Sequence, residues 1–429
     1  MSTATATEPG ARRSRLALAS LGLGAFVIGT AELVIVGVLG LIADDLDVSL
    51  STAGLLVTAY ALGISIGGPL ITAATIRMPR RVLLWSALGV FVLGNLVAVF
   101  AGAFGLLIVA RALCGALHGL FLGAASAVAT GLVAPEHRGQ AVGLVFGGIS
   151  VSTVLGVPLG TLLGQGLGWQ ATFAGVVVLG VLALAAILAF VPSVHGSGSG
   201  GLAAQARHAF HPRVLAMLAA GVLLMGSQFV AFTYLAPFLE DVTGISGGAV
   251  SAFLLVFGVF SAIGTIAGGR FADINASLTL FVGNLVLIVA LLGLYTFGGN
   301  ALLVGLALAS WGIVGFGVTP SLQLRVISLA GEGGDLAATL GASAANVGVA
   351  SGAAVGGWAL DAYGVADVPL VALIAAVIAL PAVWATRFLT VPDAPAAVPA
   401  ADPAAPAPDA PATAPVADPA AGAPLTTRG

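Results

Sequence analysis

The chain has no lysine, a single cysteine and, over 429 residues, a charged fraction of only 7%. Fourteen arginines against 17 acids leave a net charge of -3, and no basic cluster of the kind that nucleic acids recruit, so a DNA or RNA partner is excluded. Cys114 by itself can form neither an internal disulfide nor a CxxC metal site, and inside an apolar run it reads as a packing thiol. A GxxxxGK[ST] phosphate loop is missing, and so is any nucleophile–base or metal-ligand set at one depth, which argues against an ATP-driven pump and against an enzyme. Neither a cofactor nor a metal is expected.

Apolar residues, in contrast, make up 59% of the chain, and its mean hydropathy is +1.13, more than a soluble protein can bury. Crossing the hydrocarbon core takes roughly 20 such residues. Segmentation at charges and Gly/Pro clusters gives twelve runs of that length between Leu16 and Phe388. The fold class is therefore all-α integral membrane, with 12 transmembrane helices. A Gly/Ser-rich linker, residues 193–212, separates a six-helix bundle at 16–192 from a second at 213–390. Residues 1–15 form a cytoplasmic N-terminal segment. Residues 391–429, with ten prolines among alanines, read as a disordered tail.

The first run, Leu16 to Ala43, follows Arg12, Arg13 and Arg15 in the manner of a signal peptide. It is too long for one, contains Glu32 and ends at Asp44-Asp45 without a small-residue cleavage site, so it reads as a retained helix. Arginines occupy the second, fourth and later even-numbered connections, while the opposite ones hold Asp44, Asp45, Asp47, Glu240, Asp241, Asp361 and Asp367. Positive charge stays inside, which puts both termini in the cytoplasm. The lysine-free, Ala/Gly/Arg-rich composition suggests a high-GC bacterial source and hence the bacterial inner (plasma) membrane.

Sliding the sequence on itself by 197 residues aligns GTAELVIVGVLGLIADDLDVS from Gly29 with GSQFVAFTYLAPFLEDVTGIS from Gly226. The same offset matches Asp44 to Asp241, Gly160 to Gly357 and Ile76 to Asp273. An even number of helices per copy gives both halves the same orientation, the parallel-repeat plan of carriers that rock two bundles about a central cavity.

Five stretches carry a family resemblance: GTAELVIVGVL (Gly29 to Leu39), YALGISIGGPL (Tyr60 to Leu70), RALCGALHG (Arg111 to Gly119), GVPLGTLLG (Gly156 to Gly164) and GGRFAD (Gly268 to Asp273). Over about Leu16 to Phe388 the chain resembles the drug:proton antiporter branch of the major facilitator superfamily, in particular its arabinose-efflux-like and chloramphenicol-exporter-like members. That resemblance implies the major facilitator fold, two parallel six-helix repeats, and a carrier acting as a single chain. Its loop between the second and third helices normally reads GxxxDRxGRR, whereas this chain has TAATIRMPRR from Thr72 to Arg81. Ile76 replaces the acid and Pro79 the glycine. Arg77, Arg80 and Arg81 remain, and the second copy keeps Gly269 and Asp273, so a latch here must rest on arginines and helix termini.

Glu32 is the most informative side chain, because an ionisable group within a membrane helix costs ~3 kcal/mol or more and persists where it faces a cavity or partner. It is the candidate proton carrier, the alternative being a carboxylate fixed in an interhelical hydrogen bond. Arg111 and His118 share a helix face with Gly115. The resemblance gives Arg111 a part in proton coupling; the alternative is that it bonds backbone carbonyls and fixes packing. His118 either relays protons or packs. Gly156, Pro158, Gly160 and Gly164 let the fifth helix bend and approach a neighbour closely, which the family reads as a seam that favours export. For the substrate cavity the mid-membrane candidates are Tyr60, Gln228, Phe229, Phe232, Trp311, Gln323 and Asn346. The resulting expectation is a proton-driven exporter of small neutral or weakly polar molecules such as phenicol-type antibiotics. A sugar or nucleoside exporter and an uncoupled facilitator are the rivals. Its partners are then a small-molecule substrate, protons and the lipid bilayer.

Overall fold

The computed structural model describes residues 8–75, 78–134, 137–192 and 207–391, and every regular element among them is helical. Arg77, most of the linker and the Ala/Pro tail lie outside the described residues. In the first half, α1 runs Glu8–Leu33 and resumes as Ile35–Asp45, and α2 runs Leu50–Leu62, continues through a π-turn at Gly63–Gly67 and ends with Gly68–Ala74. Next come α3 (Arg80–Val99) and α4 (Phe104–Gly131). α5 is Arg138–Val151, a π-turn Ser152–Gly156 and Val157–Leu167, and α6 is Trp169–Phe190. In the second half, α7 is Pro212–Phe232 with Leu235–Asp241, α10 is Ala301–Gly317 with Thr319–Ala330, α11 is Gly334–Tyr363 and α12 is Val368–Ala385. One unbroken assignment, Gly248–Phe297, contains non-helical backbone at Asn275 (φ -161°, ψ 90°) and divides there into α8 and α9. Eleven long apolar helices thus become twelve spans. The side chain of Asn275 accepts from the amide of Leu278 at 3.0 Å and starts α9 as an N-cap.

Most irregularities have a proline behind them. A proline lacks the N–H that would bond four residues back, so its helix must widen or break there. Pro69 and Pro158 release the carbonyls of Ser65 and Val154, and both lie inside the π-turns of α2 and α5. Pro237 releases Thr233, where α7 breaks, and Pro320 releases Phe316, just before the break in α10. α1 has no such proline at Val34, and its interruption has another cause, given below. At the opposite ends, arginines cap the helices: Arg81 donates to the carbonyl of Leu188 at 2.6 Å, Arg213 to Leu329 at 2.8 Å, and Arg325 to Thr386 and Leu389 at 2.8 and 3.0 Å. These carbonyls end α6, α10 and α12, where a cation meets the negative end of the helix dipole.

The apolar core is divided in a way that bears on function. At the end that carries Asp44, one cluster includes side chains of both halves, among them Leu39, Leu56, Phe173, Leu239, Leu254 and Leu308. At the arginine-bearing end there are two separate clusters. One belongs to the first half (Leu21, Leu84, Phe121, Ile187), the other to the second (Met217, Leu280, Leu322, Val383). The halves are therefore joined at the Asp44 end and have independent cores at the other. Tyr234 of α7 plugs the joined end: its ring lies against Gly54 of α2 and Gly356 and Gly357 of α11, and its hydroxyl donates to the carbonyl of Ala353 at 3.1 Å.

Candidate functional site

Four polar side chains of α1, α2 and α4 meet midway along the first half. Gly115 sets their spacing, because a Cβ there would strike the backbone of Tyr60, so α2 and α4 touch main chain to main chain. Arg111, 2% exposed, donates to the carbonyls of Ala31 at 2.6 Å, Glu32 at 3.1 Å and Leu56 at 3.5 Å. Its Cζ stands 4.1 Å from the centroid of the Tyr60 ring, within cation–π range. The two α1 carbonyls that Arg111 holds are those that Ile35 and Val36 would engage in an uninterrupted helix, and Gly37 instead bonds back to Val34 at 3.0 Å. The guanidinium, in place of a proline, stabilises the interruption of α1.

The Glu32 carboxylate points elsewhere. Its Oε2 lies 3.7 Å from Nδ1 of His118, too long for a hydrogen bond but close enough for one small rotation to make it. The same Nδ1 is 3.2 Å from the hydroxyl of Tyr60, which also reaches the carbonyl of Ile28 at 3.4 Å. Tyr60, His118 and Arg111 are all less than 5% exposed, whereas the Glu32 side chain keeps 20% of its surface open. That surface faces a narrow cavity where the halves meet, lined by Glu32, Tyr60, Val57 and Arg111 of the first half and by Phe229 and Val349 of the second.

The repeat gives the second half a different chemistry at the same positions. The 197-residue offset carries Glu32 to Phe229, Tyr60 to Phe257, Arg111 to Leu308 and His118 to Gly315. Phe229, Phe232, Phe257 and Trp311 form a chain of ring contacts with centroids 4.9 to 6.0 Å apart. A charged cluster on one wall thus faces an aromatic cluster on the other.

Among the expected cavity residues, Tyr60 and Phe229 line the cavity beside Glu32. Phe232 and Trp311 are buried behind Phe229. Gln228 is committed to packing: it accepts from the indole N–H of Trp311 at 3.3 Å and donates to the carbonyl of Gly315 at 3.2 Å. Asn346 lies one turn from Val349 on α11 and donates to its own helix at Ala342, while Gln323 lies near the arginine end of α10 with its oxygen against Gly341. Tyr60 has a second position that its sequence did not announce, inside the Arg111–His118 network. No local pattern marks Phe257, Val349 or Tyr234; the repeat offset points to Phe257 as the counterpart of Tyr60.

Gly156, Gly160 and Gly164 all face α1, and a Cβ on them would strike Thr30, Val34 and Val38 respectively. Pro158 lies between Gly156 and Gly160 and is buried. Arg80 begins α3, and Arg81 caps α6 of its own half. Gly269 has open space where a Cβ would be, and Asp273 is exposed beside the α8–α9 turn.

Twelve spans in two repeated halves about a central polar site define a multi-pass membrane carrier. The chain belongs to the Major Facilitator Superfamily, whose sequence pattern matches residues 21–342. It is similar to the MFS-type transporter YtbD of Bacillus subtilis, 36% identical over 81% of this chain and 89% of that one. It is also 28% identical to a probable sugar efflux transporter of Mannheimia succiniciproducens, over 85% of this chain and 91% of the relative. In fold it is similar to a bacterial homologue of the human lysosomal transporter Spinster in an inward-facing, occupied conformation, with a TM-score of 0.73 and 15% identity over 90% and 98% of the two chains.

Proposed function

We propose that this transporter exports small neutral or weakly polar molecules in exchange for protons, with Glu32 as the group that carries the proton. The observation behind this reading is the partly open Glu32 carboxylate on a cavity between the halves, the one acid of the described spans that lies away from a helix end. A carboxylate kept there at a cost of several kcal/mol implies a use. Arg111 is a permanent charge that cannot take part in proton transfer, and it biases the site against a second cation. His118, within reach of both Glu32 and Tyr60, is the neighbour best placed to pass the proton on.

Opposite this group, Phe229 presents a ring and no charge, which suits a substrate with an apolar or ring-bearing face. That chemistry supports phenicol-type antibiotics as the first class to try. A sugar is the second reading, favoured by the relative named as a probable sugar efflux transporter. The arginine-bearing end is the cytoplasmic one in this reading, so a chain joined at its Asp44 end is in its inward-open state. A relative named as an inner membrane transport protein of Escherichia coli, 34% identical, supports an inner-membrane location.

The test is substrate-dependent proton movement in proteoliposomes, screened over phenicols, pentoses and nucleosides, with Glu32→Gln in parallel. Counter-movement of protons that vanishes in Glu32→Gln is expected. Transport that ignores a pH gradient and is unchanged in Glu32→Gln would leave an uncoupled facilitator.

A further inference from the structure

Apart from the central cavity, the first half has a second hollow, at its arginine-bearing end. The start of α1, the start of α3 and the ends of α4 and α6 enclose it, with Arg13, Ser14, Arg81, Leu132, Phe190 and Pro192 in its wall. Arg81 uses one N–H on the carbonyl of Leu188, and a guanidinium has five. Arg13 is exposed and has no hydrogen-bonded or ion-paired partner among the described residues. Among the described residues no carboxylate lines the hollow. Residues 193–206, which follow Pro192, contain no acid.

The remaining wall is apolar. Leu132 and Phe190 lie beside the arginines, and Leu16, Trp85 and Leu188 are 36, 41 and 46% exposed on the neighbouring helix surfaces. A free inorganic anion would engage the guanidinium groups and leave this surface unused. A phosphodiester carrying acyl chains satisfies both parts, since the guanidinium fork matches phosphate oxygens and the chains lie along the exposed apolar faces. Basic pockets between the ends of membrane helices take acidic headgroups for this reason.

We propose that this hollow binds the headgroup of an anionic phospholipid, with Arg13 and Arg81 on its phosphate and Ser14 as a further donor. One lipid would then tie α1 to α3 and α6 by their ends. The site stands independently of the transport reading, because none of its residues belongs to the central cavity.

The experiment is a lipid titration on the purified full-length protein in neutral detergent, followed by native mass spectrometry and thermal unfolding. The probes are phosphatidylglycerol, phosphatidylcholine and inorganic phosphate. The expected result is one tightly retained phosphatidylglycerol and a raised melting temperature, with at least a roughly tenfold loss of affinity in the double variant Arg13→Gln/Arg81→Gln. If the double variant does not fold, Arg13→Gln alone decides, since that side chain has no bonded partner among the described residues, and a severalfold loss is expected. Equal retention of phosphatidylcholine, a phosphate effect as large as that of the lipid, or undiminished binding by Arg13→Gln and the double variant would each overturn the proposal.

Discussion

Arg111 and Glu32 are neighbours but not an ion pair: the guanidinium donates to the main-chain carbonyl of Glu32 at 3.1 Å, while the carboxylate of that residue turns toward His118 at 3.7 Å. Arg111 thus governs the course of α1 and the electrostatics of its acid at the same time.

Arg111→Lys is expected to fail almost as fully as Arg111→Gln. A lysine restores the charge but not the fork, so at least one of three carbonyls loses its donor. A buried carbonyl left unpaired costs about 1–3 kcal/mol, and a lowered melting temperature together with lost transport is the expected readout. A stable, active Arg111→Lys would show that charge alone suffices.

Gly160 and Gly269 belong to family motifs but have different surroundings. Gly160→Val puts atoms into Val34 at the interruption of α1 and is expected to cost about 1–3 kcal/mol and abolish transport. Gly269→Ala meets nothing within 4 Å and is expected to be neutral or to stabilise its helix by up to ~1 kcal/mol. Melting temperatures of the two variants, measured side by side, check both.

Tyr234→Phe removes one hydrogen bond, to Ala353, at a cost of about 1 kcal/mol. Tyr234→Ala empties the plug between Gly54, Gly356 and Gly357 and is expected to cost about 3–5 kcal/mol of the seal's stability. Cysteines placed in the cavity then become reactive toward reagents from the Asp44 side in Tyr234→Ala and much less so in Tyr234→Phe.

Orientation has its own test. In a Cys114→Ser background, Ser246→Cys is expected to react with an impermeant maleimide on intact cells, and His211→Cys only after permeabilisation. Both positions are exposed at opposite ends of α7, whereas Cys114 is 2% exposed and adds little background. The reverse pattern would invert the topology.

Much of this molecule can be read from local chemistry. Apolar run length gives the twelve spans, and Asn275 marks the turn that separates α8 from α9 even though the helical assignment passes through it. The π-turns follow from Pro69 and Pro158, whose position four residues on is written in the chain. The interruption of α1 is different. Its cause, Arg111, is some eighty residues away in sequence, and no local pattern connects the two. The same distance hides the contact of Tyr60 with His118, which a residue expected on the cavity wall makes in addition to lining it. Gln228 shows the converse: an amide at mid-membrane depth signals a partner, and only the packing of α7 on α10 reveals that the partner is Trp311.

The core shared by both halves at the Asp44 end is built from aliphatic and aromatic side chains. Apolar contacts of this kind owe their strength at ordinary temperatures to the release of water, and they weaken on cooling. Because the opposite end has two self-sufficient cores and no common one, nothing there compensates when the joined end loosens. In the transport reading proposed above, the balance between the two open states is expected to act as a thermometer: chilling would raise the share of molecules open at the Asp44 end, with the heat-capacity signature of buried hydrocarbon.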